Sequence, residues 1–520
     1  MNNLNFLVDV LKESPVFKTL EKNVKPGRTV CASGLSTINK SNIIYALCRL
    51  KGVTAFCLAS DEKEAQTLCN DLSCMGLRAY VYPVRDFNFL DFQSRSHEYE
   101  HARLKVLLKL LNHECDVAIA CVDAAAQLTV PRNVLEQSVI EFEEGRELSL
   151  EKATKALTLL GYERFDAVEG SGQFSLRGGI LDFFMPDSDY PVRCEFWGDE
   201  ITDLSYFDIE TQRRFKKADK ITLSPSTEIV IEDRAALADK IEHKAKLLRS
   251  KNSAKAKEKL FSEAELIRSG AMIANADKFI NQIYDNPESL FDYLDRNTLV
   301  FASEFTAIQE RGKSMDFISN ETLMQGFEDG TLCRGFDRFA LTFNECTEFL
   351  QSHGTIVLEN FVHGSMPIKL SEIISFSTKQ LSAWGGSYKQ LKEDVDGLFT
   401  PESKGVIFAG TERAAKNLCD TFNADGINAV YSEGADKISK GELLVMQGAL
   451  SAGFEYPSQK FFAITYSQVS YRPEKSKKKK KKTGKEIYSL SELAPGDYVV
   501  HNVHGIGVFG GIRKIDTHGV

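Results

Sequence analysis

The sequence predicts a multi-domain protein of α/β and α+β class, on three observations. Between residues 28 and 122 short apolar runs alternate with segments of helical period; after Pro131 the runs crowd together between turn residues; near residue 340 the first alternation resumes. Apolar runs separated by helices are what a parallel sheet covered on both faces requires, whereas closely spaced runs suit an antiparallel sheet. At 520 residues the chain is too long for one core, and three or four domains are expected.

In the first segment strands are expected at 29–32, 54–59, 79–82 and 117–122, with helices around 43–50, 62–74 and 102–111. This order is that of a RecA-like (P-loop NTPase-like) lobe. A helix at 148–160 and strands at 174–184, 192–197 and 204–207, punctuated by Gly172, Pro186 and Gly198, form an α+β insertion at 131–213. A helical stretch at 235–293 and a strand at 298–302 return to the first domain, which is therefore discontinuous, 1–130 and 214–339. A second α/β scaffold lobe spans 340–468: residues 405–410 read as a buried strand, Thr411 as an N-cap, 414–422 as a helix and 429–431 as the next strand. Residues 469–487 hold a lysine-rich run that cannot bury apolar surface, and a disordered linker is expected, with nucleic-acid contact as the sharper alternative. In 488–520, Tyr498, Val500 and Val503 with Gly505 and Gly507 suggest tightly turned strands of a β-barrel, cut short at Val520.

Composition excludes several classes. The N-terminus lacks the basic and apolar regions of a secretory signal and no apolar run is long enough to span a bilayer, so a cytoplasmic protein without membrane contact is expected. The eleven cysteines form no Cys-x-x-Cys pair, which argues against a zinc ribbon. Net charge is −9, and would be −15 without the six lysines Lys477 to Lys482, so a uniformly DNA-coating surface is disfavoured.

One motif bears directly on chemistry. Gly34-Leu35-Ser36-Thr37-Ile38-Asn39-Lys40-Ser41 matches a phosphate-binding loop, Gly-x-x-x-x-Gly-Lys-Ser/Thr, except that Asn39 replaces the second glycine. The glycines of that loop let backbone N–H groups converge on phosphate oxygens, so their loss matters more than retention of the lysine. At 299–304 a strand ends in Ser303-Glu304, with serine where a magnesium-binding aspartate belongs. Gly34, Asn39, Lys40, Ser41, Ser303 and Glu304 are therefore expected to form a degenerate nucleotide site with no catalytic residue. His501 and His504 lack the further Cys or His ligands a metal needs, and no metal site is expected. Phe87, Phe89 and Phe92 could stack on bases but more often anchor a loop.

Residues 174–184, followed by Arg193-Cys194-Glu195-Phe196-Trp197-Gly198-Asp199-Glu200-Ile201, resemble the UvrA-contacting module of the UvrB damage-recognition helicase, and 496–509 resemble the opening of the CarD-like RNA polymerase interaction domain. Both in this order resemble the N-terminal portion of the bacterial transcription-repair coupling factor (Mfd) family. The resemblance implies an adaptor that recruits UvrA, with Arg177, Arg164, Phe183 and Arg193 at the contact. It implies docking on the RNA polymerase β subunit through Tyr498, Val500, His501 and His504, were that domain complete. It also implies that ATP, Mg and DNA are handled by a translocase motor beyond this chain, which itself carries no cofactor. An active UvrB-like ATP-dependent DNA helicase is the alternative. Strand alternation through 175–184 is expected to put Ser175, Arg177, Gly179, Leu181 and Phe183 on one face, and Leu176, Ile180 and Phe184 on the other, with Phe183 and Trp197 nearer the core than the arginines.

Overall fold

The computed structural model describes residues 4–85, 97–249, 253–270, 276–362, 366–381, 388–466, 498–501 and 505–508. Phe87, Phe89, Phe92, the lysine run and His504 lie outside them. Two compact units are present, 1–469 and 470–520. In the first, helices α1 (Asn5–Lys12) and α2 (Pro15–Asn23) precede a βα series: β1 (Val30–Ser33), α3 (Thr37–Lys51), β2 (Ala55–Ala59), α4 (Glu62–Cys74), β3 (Ala79–Tyr82), α5 (Glu98–Leu111), β4 (Val117–Cys121) and α6 (Val122–Ala126). An inserted module follows, comprising α7 (Arg132–Gln137), β5 (Ile140–Glu143), α8 (Leu150–Leu159), β6 (Glu163–Arg164), β7 (Gln173–Arg177), β8 (Ile180–Phe183), β9 (Val192–Trp197), β10 (Glu200–Phe207), β11 (Arg214–Lys217) and β12 (Lys220–Leu223). Helices α9 (Arg234–Leu247), α10 (Ser253–Arg268) and α11 (Ile280–Ile283) lead back to β13 (Leu299–Ser303), α12 (Phe305–Asp329), α13 (Phe343–His353), β14 (Thr355–Leu358) and β15 (Glu372–Ser375).

The seven strands β15-β1-β14-β13-β2-β4-β3 form one sheet. Every pairing in it is parallel, as the apolar runs and intervening helices require. The sheet continues through β15, past the expected domain end at 339: α13 and β14 make one more crossover, so residues 355–358, expected in the second lobe, belong to this sheet.

A second sheet, β16 (Lys379–Leu381), β20 (Gly453–Tyr456), β21 (Phe461–Thr465), β17 (Lys404–Phe408), β19 (Glu442–Met446) and β18 (Ala429–Ser432) in spatial order, mixes a parallel centre with an antiparallel edge. Helices α14 (Tyr388–Leu398) and α15 (Glu412–Ala424) cover one face, with Ile407, Leu443, Val445 and Phe462 beneath them. Thr411 caps α15 as expected, accepting from the Ala414 N–H. The other face, through Val406, Phe408, Tyr456 and Phe461, joins the same core as α1, α3 and α4. Helix α3 is therefore buried almost all round, including Asn39, Lys40, Ser41 and Asn42.

The module carries a sheet β11-β10-β9-β8-β7-β6 and a separate β12-β5 ribbon. Phe142 of β5 and Ile221 and Leu223 of β12 enter the same core as Phe174, Leu181 and Phe183, so the module runs beyond residue 213. Its exit is fastened to the host lobe by buried charge. Arg103 donates from Nε to Glu228 Oε1 at 2.7 Å, Thr129 donates to Glu228 Oε2 at 2.7 Å, and Glu100 accepts from the Glu228 N–H at 2.8 Å. Burial disfavours the charged form of Glu100, yet bonds from His97 and the Glu228 backbone and the charge of Arg85 outweigh it and draw its pKa down to about 2. The second unit shows a hairpin, β22 (Tyr498–His501) paired antiparallel with β23 (Gly505–Val508).

Candidate functional site

Strand β1 delivers Gly34 with φ +79°, and a Cβ there would lie 2.2 Å from the Phe376 carbonyl oxygen, so only glycine fits. The loop it opens is tied down by backbone. The Gly34 and Leu35 N–H groups donate to the carbonyls of Asn360 (3.2 Å) and Glu359 (3.1 Å), and Thr378 Oγ1 donates to the Gly34 carbonyl at 2.7 Å. Asn39, at the position of the missing glycine, accepts from Ser36 Oγ at 2.6 Å.

Lys40 is 1% exposed and faces three side chains: Glu304 Oε1 at 2.5 Å, Ser303 Oγ at 2.9 Å and Glu64 Oε1 at 3.3 Å. Ser303 in turn donates to Glu64 Oε1 at 2.6 Å, and Ser60 donates to Glu64 Oε2 from N and Oγ. Burial alone would raise the Glu64 pKa, but Lys40 and these hydroxyls hold it below the usual carboxylate range. Glu304 adopts φ +55°, uncommon for a residue with a Cβ, and also accepts from the Asn360 N–H. Beside it, buried Glu359 accepts from the Phe305 N–H, and burial with the nearby Glu304 charge pushes its pKa to about 7. Ser41 turns away and donates to Asp71, whose carboxylate also receives the Ser451 N–H and Oγ at 2.7 Å each. Burial lifts Asp71 to about 6 despite those bonds.

Lys40, Ser303 and Glu304 thus meet as the motif predicts, while Asn39 and Ser41 do not point at them. Glu64 joins Lys40 and Ser303, Glu359 sits beside Glu304, and Asp71 takes Ser41 on the other side of the helix; none of the three belongs to a motif. The arrangement is an internally neutralised ion cluster. Within it the lysine and the first loop N–H groups all have partners from the protein itself.

In the module, Gly178 and Gly179 reverse the chain between β7 and β8, so 174–184 is a hairpin rather than one strand. Cross-strand pairs Ser175↔Asp182 and Arg177↔Ile180 share a face, and Leu181 and Phe183 turn inward. Phe183 is fully buried and offers a partner no surface, which corrects its placement at a contact. The reason is register: two turn residues shift the alternation by one. Asp182 is the hub of the outer face. Arg193 grips it with Nε–Oδ1 at 2.7 Å and Nη2–Oδ2 at 2.8 Å, lies 4.5 Å over the Phe207 ring, and is largely covered. Arg177 gives Asp182 a single bond, Nη2–Oδ2 at 2.8 Å, and keeps its side chain 51% exposed. Arg164 is exposed on β6. Trp197, expected nearer the core, is 81% exposed.

Residues 140–229 match the family model described as UvrB interaction domain, and 493–520 match that described as CarD-like/TRCF RID domain. The "Transcription-repair-coupling factor" of Bacillus subtilis strain 168 is 28% identical over 98% of this chain and 44% of its own length. The chain is similar to the transcription-repair-coupling factors along nearly its whole length. Transcription-repair-coupling factors from Staphylococcus epidermidis RP62A (26% identity, 84% of this chain, 38% of the relative) and Staphylococcus aureus MRSA252 (22%, 99% and 44%) match as well. The chain spans less than half the length of these curated relatives. Of the residues expected at a polymerase contact, Tyr498, Val500 and His501 lie on β22 within the second match; their side chains, and His504, are outside the described residues. Among the described residues, no helix is long and apolar enough to cross a membrane.

Proposed function

We propose that this chain is the adaptor portion of a transcription-repair coupling factor: the module at 140–229 recruits UvrA, and the segment from 493 begins a domain that docks on RNA polymerase. The observation that carries the reading is the presence of both matched domains, in that order, on a chain similar to coupling factors over 98% of its length. The first lobe is a degenerate RecA-like scaffold, the hairpin at 498–508 belongs to the start of a small barrel, and the ATP- and Mg-dependent DNA translocase of such a factor lies outside this chain.

The state of Lys40 supports the non-enzymatic part of this reading. Its charge is already balanced by Glu64 and Glu304, and admitting a phosphate would require breaking that buried cluster and freeing the Gly34 and Leu35 N–H groups. Ser303 leaves magnesium without its main carboxylate. Thermal melts with and without Mg-ATP should therefore coincide, since a ligand that binds only the folded state raises its midpoint. An ATP-dependent rise, or DNA-stimulated ATP turnover, would refute the scaffold reading.

On the module, Arg177 is the half-exposed arginine of the Asp182 hub, and Arg164 is exposed on the edge strand β6. Arg193 alone still grips both oxygens of the buried Asp182 when Arg177 is lost, so little folding energy goes with it. Arg177→Ala should lower capture of UvrA by roughly tenfold or more while leaving the melting temperature within about 1 °C of wild type. Equal capture by both forms would take Arg177 off the contact.

A further inference from the structure

The outer face of the module sheet holds one feature that the arginine contact does not account for. Trp197 ends β9, follows the same alternation as Arg193 and Glu195, and so stands on the face that carries Arg177 and Asp182. The β8–β9 register, with Ile180 opposite Glu195 and the Phe196 N–H bonded to the Gly179 carbonyl, sets Gly178 beside Trp197. Gly178 has φ +62° and open space where a side chain would project, so nothing on the neighbouring turn covers the indole. The ring is 81% exposed, the most exposed large apolar side chain among the described residues.

A solvated indole costs free energy and does nothing for the module's core, whose inward positions on β9 are Val192, Cys194 and Phe196. Beside it sits a cation with donors to spare. Arg177 spends only one N–H on Asp182, which Arg193 holds with two; Glu195 of this face is taken by Arg214, and Glu200 lies across from Trp197. Tryptophan and arginine at the centre of a patch are the residue types that dominate binding energy.

We propose that Trp197 is the apolar anchor of the UvrA contact, entering a recess on the partner that has a carboxylate at its rim to receive Arg177. This rests on the reading of the module as a UvrA recruiter. The bare Gly178 beside the ring then has a binding role: it lets the partner's wall close over the indole.

The chain has two tryptophans, Trp197 and Trp384, so a Trp384→Phe background makes Trp197 the sole reporter. Titration with a tryptophan-free UvrA variant should shift its emission to the blue, and Trp197→Ala should weaken binding by about 30-fold or more with an unchanged melt. Trp197→Phe should recover part of that loss, and Gly178→Val, which walls the ring, should weaken binding as well. If the full chain binds UvrA and Arg177→Ala impairs it, but Trp197→Ala binds as wild type without an emission shift, the anchor is refuted and the recruiter stands. If the full chain does not bind UvrA, both fall together.

Discussion

Buried carboxylates set how this chain responds to pH. In the folded protein Asp71 has its pKa raised to about 6 and Glu359 to about 7, in both cases mainly by burial. A folded state that holds a proton more tightly than the unfolded chain gains stability below the ordinary carboxylate pKa and loses it as pH rises through the folded value. These two residues therefore lower stability between about pH 4 and pH 7. Asp71→Asn keeps an acceptor for Ser451 and Ser41 but removes the charge. Relative to wild type it should gain on the order of 2 kcal/mol between pH 4.5 and pH 8, read from denaturant midpoints. Glu100, drawn down to about 2, acts in the opposite sense and loses its contribution only under strong acid. None of the three carboxylates stands in a motif, and their neighbours come from elements far apart in sequence: Ser451 is 380 positions from Asp71. Motif reading therefore found Lys40, Ser303 and Glu304 but neither these three carboxylates nor Glu64, the second carboxylate on Lys40.

At the level of elements, strand and helix positions in the first lobe were legible because burial on both faces leaves unbroken apolar runs such as Ala55–Ala59 and Val117–Cys121. The module was harder to read. Its strands alternate, and a two-residue turn inside 174–184 moves the second half of that hairpin to the opposite register, so Leu181 and Phe183 lie on the face opposite that of Arg177. The β5–β12 ribbon escaped because its halves, Ile140–Glu143 and Lys220–Leu223, are short and about 80 residues apart. That ribbon supplies Phe142, Ile221 and Leu223 to the module core. A fragment of residues 132–232 should consequently melt cooperatively by circular dichroism, whereas 132–213 should not, because the shorter piece strands Phe142 against water and leaves β5 unpaired.

For the first unit as a whole, the two parallel-centred sheets share one core, and α3 lies between them with polar groups matched across the junction, for example Asn42 Nδ2 to the Tyr456 hydroxyl at 3.1 Å. The module is held to this body through the Arg103–Glu228 pair, fully buried on both sides. Removing one partner of such a pair leaves an unbalanced charge, so Arg103→Leu should cost about 3–5 kcal/mol by denaturant titration. Amide exchange should rise first at residues 224–229, the segment that Glu228 anchors. A uniform rise across the unit would instead mean that the pair serves global stability alone.

The strand order of the large sheet carries one more consequence, for biogenesis. Strands β13 and β14 lie between β1 and β2 in space but follow them by well over 200 residues in the chain. A ribosome therefore delivers β1 on one side and β2, β4 and β3 on the other long before the strands that join them, and the inserted module, complete by Leu223, can fold during that interval. The module is finished while the sheet that carries it still lacks its middle, so long-range closure of that sheet comes after the module in synthesis order.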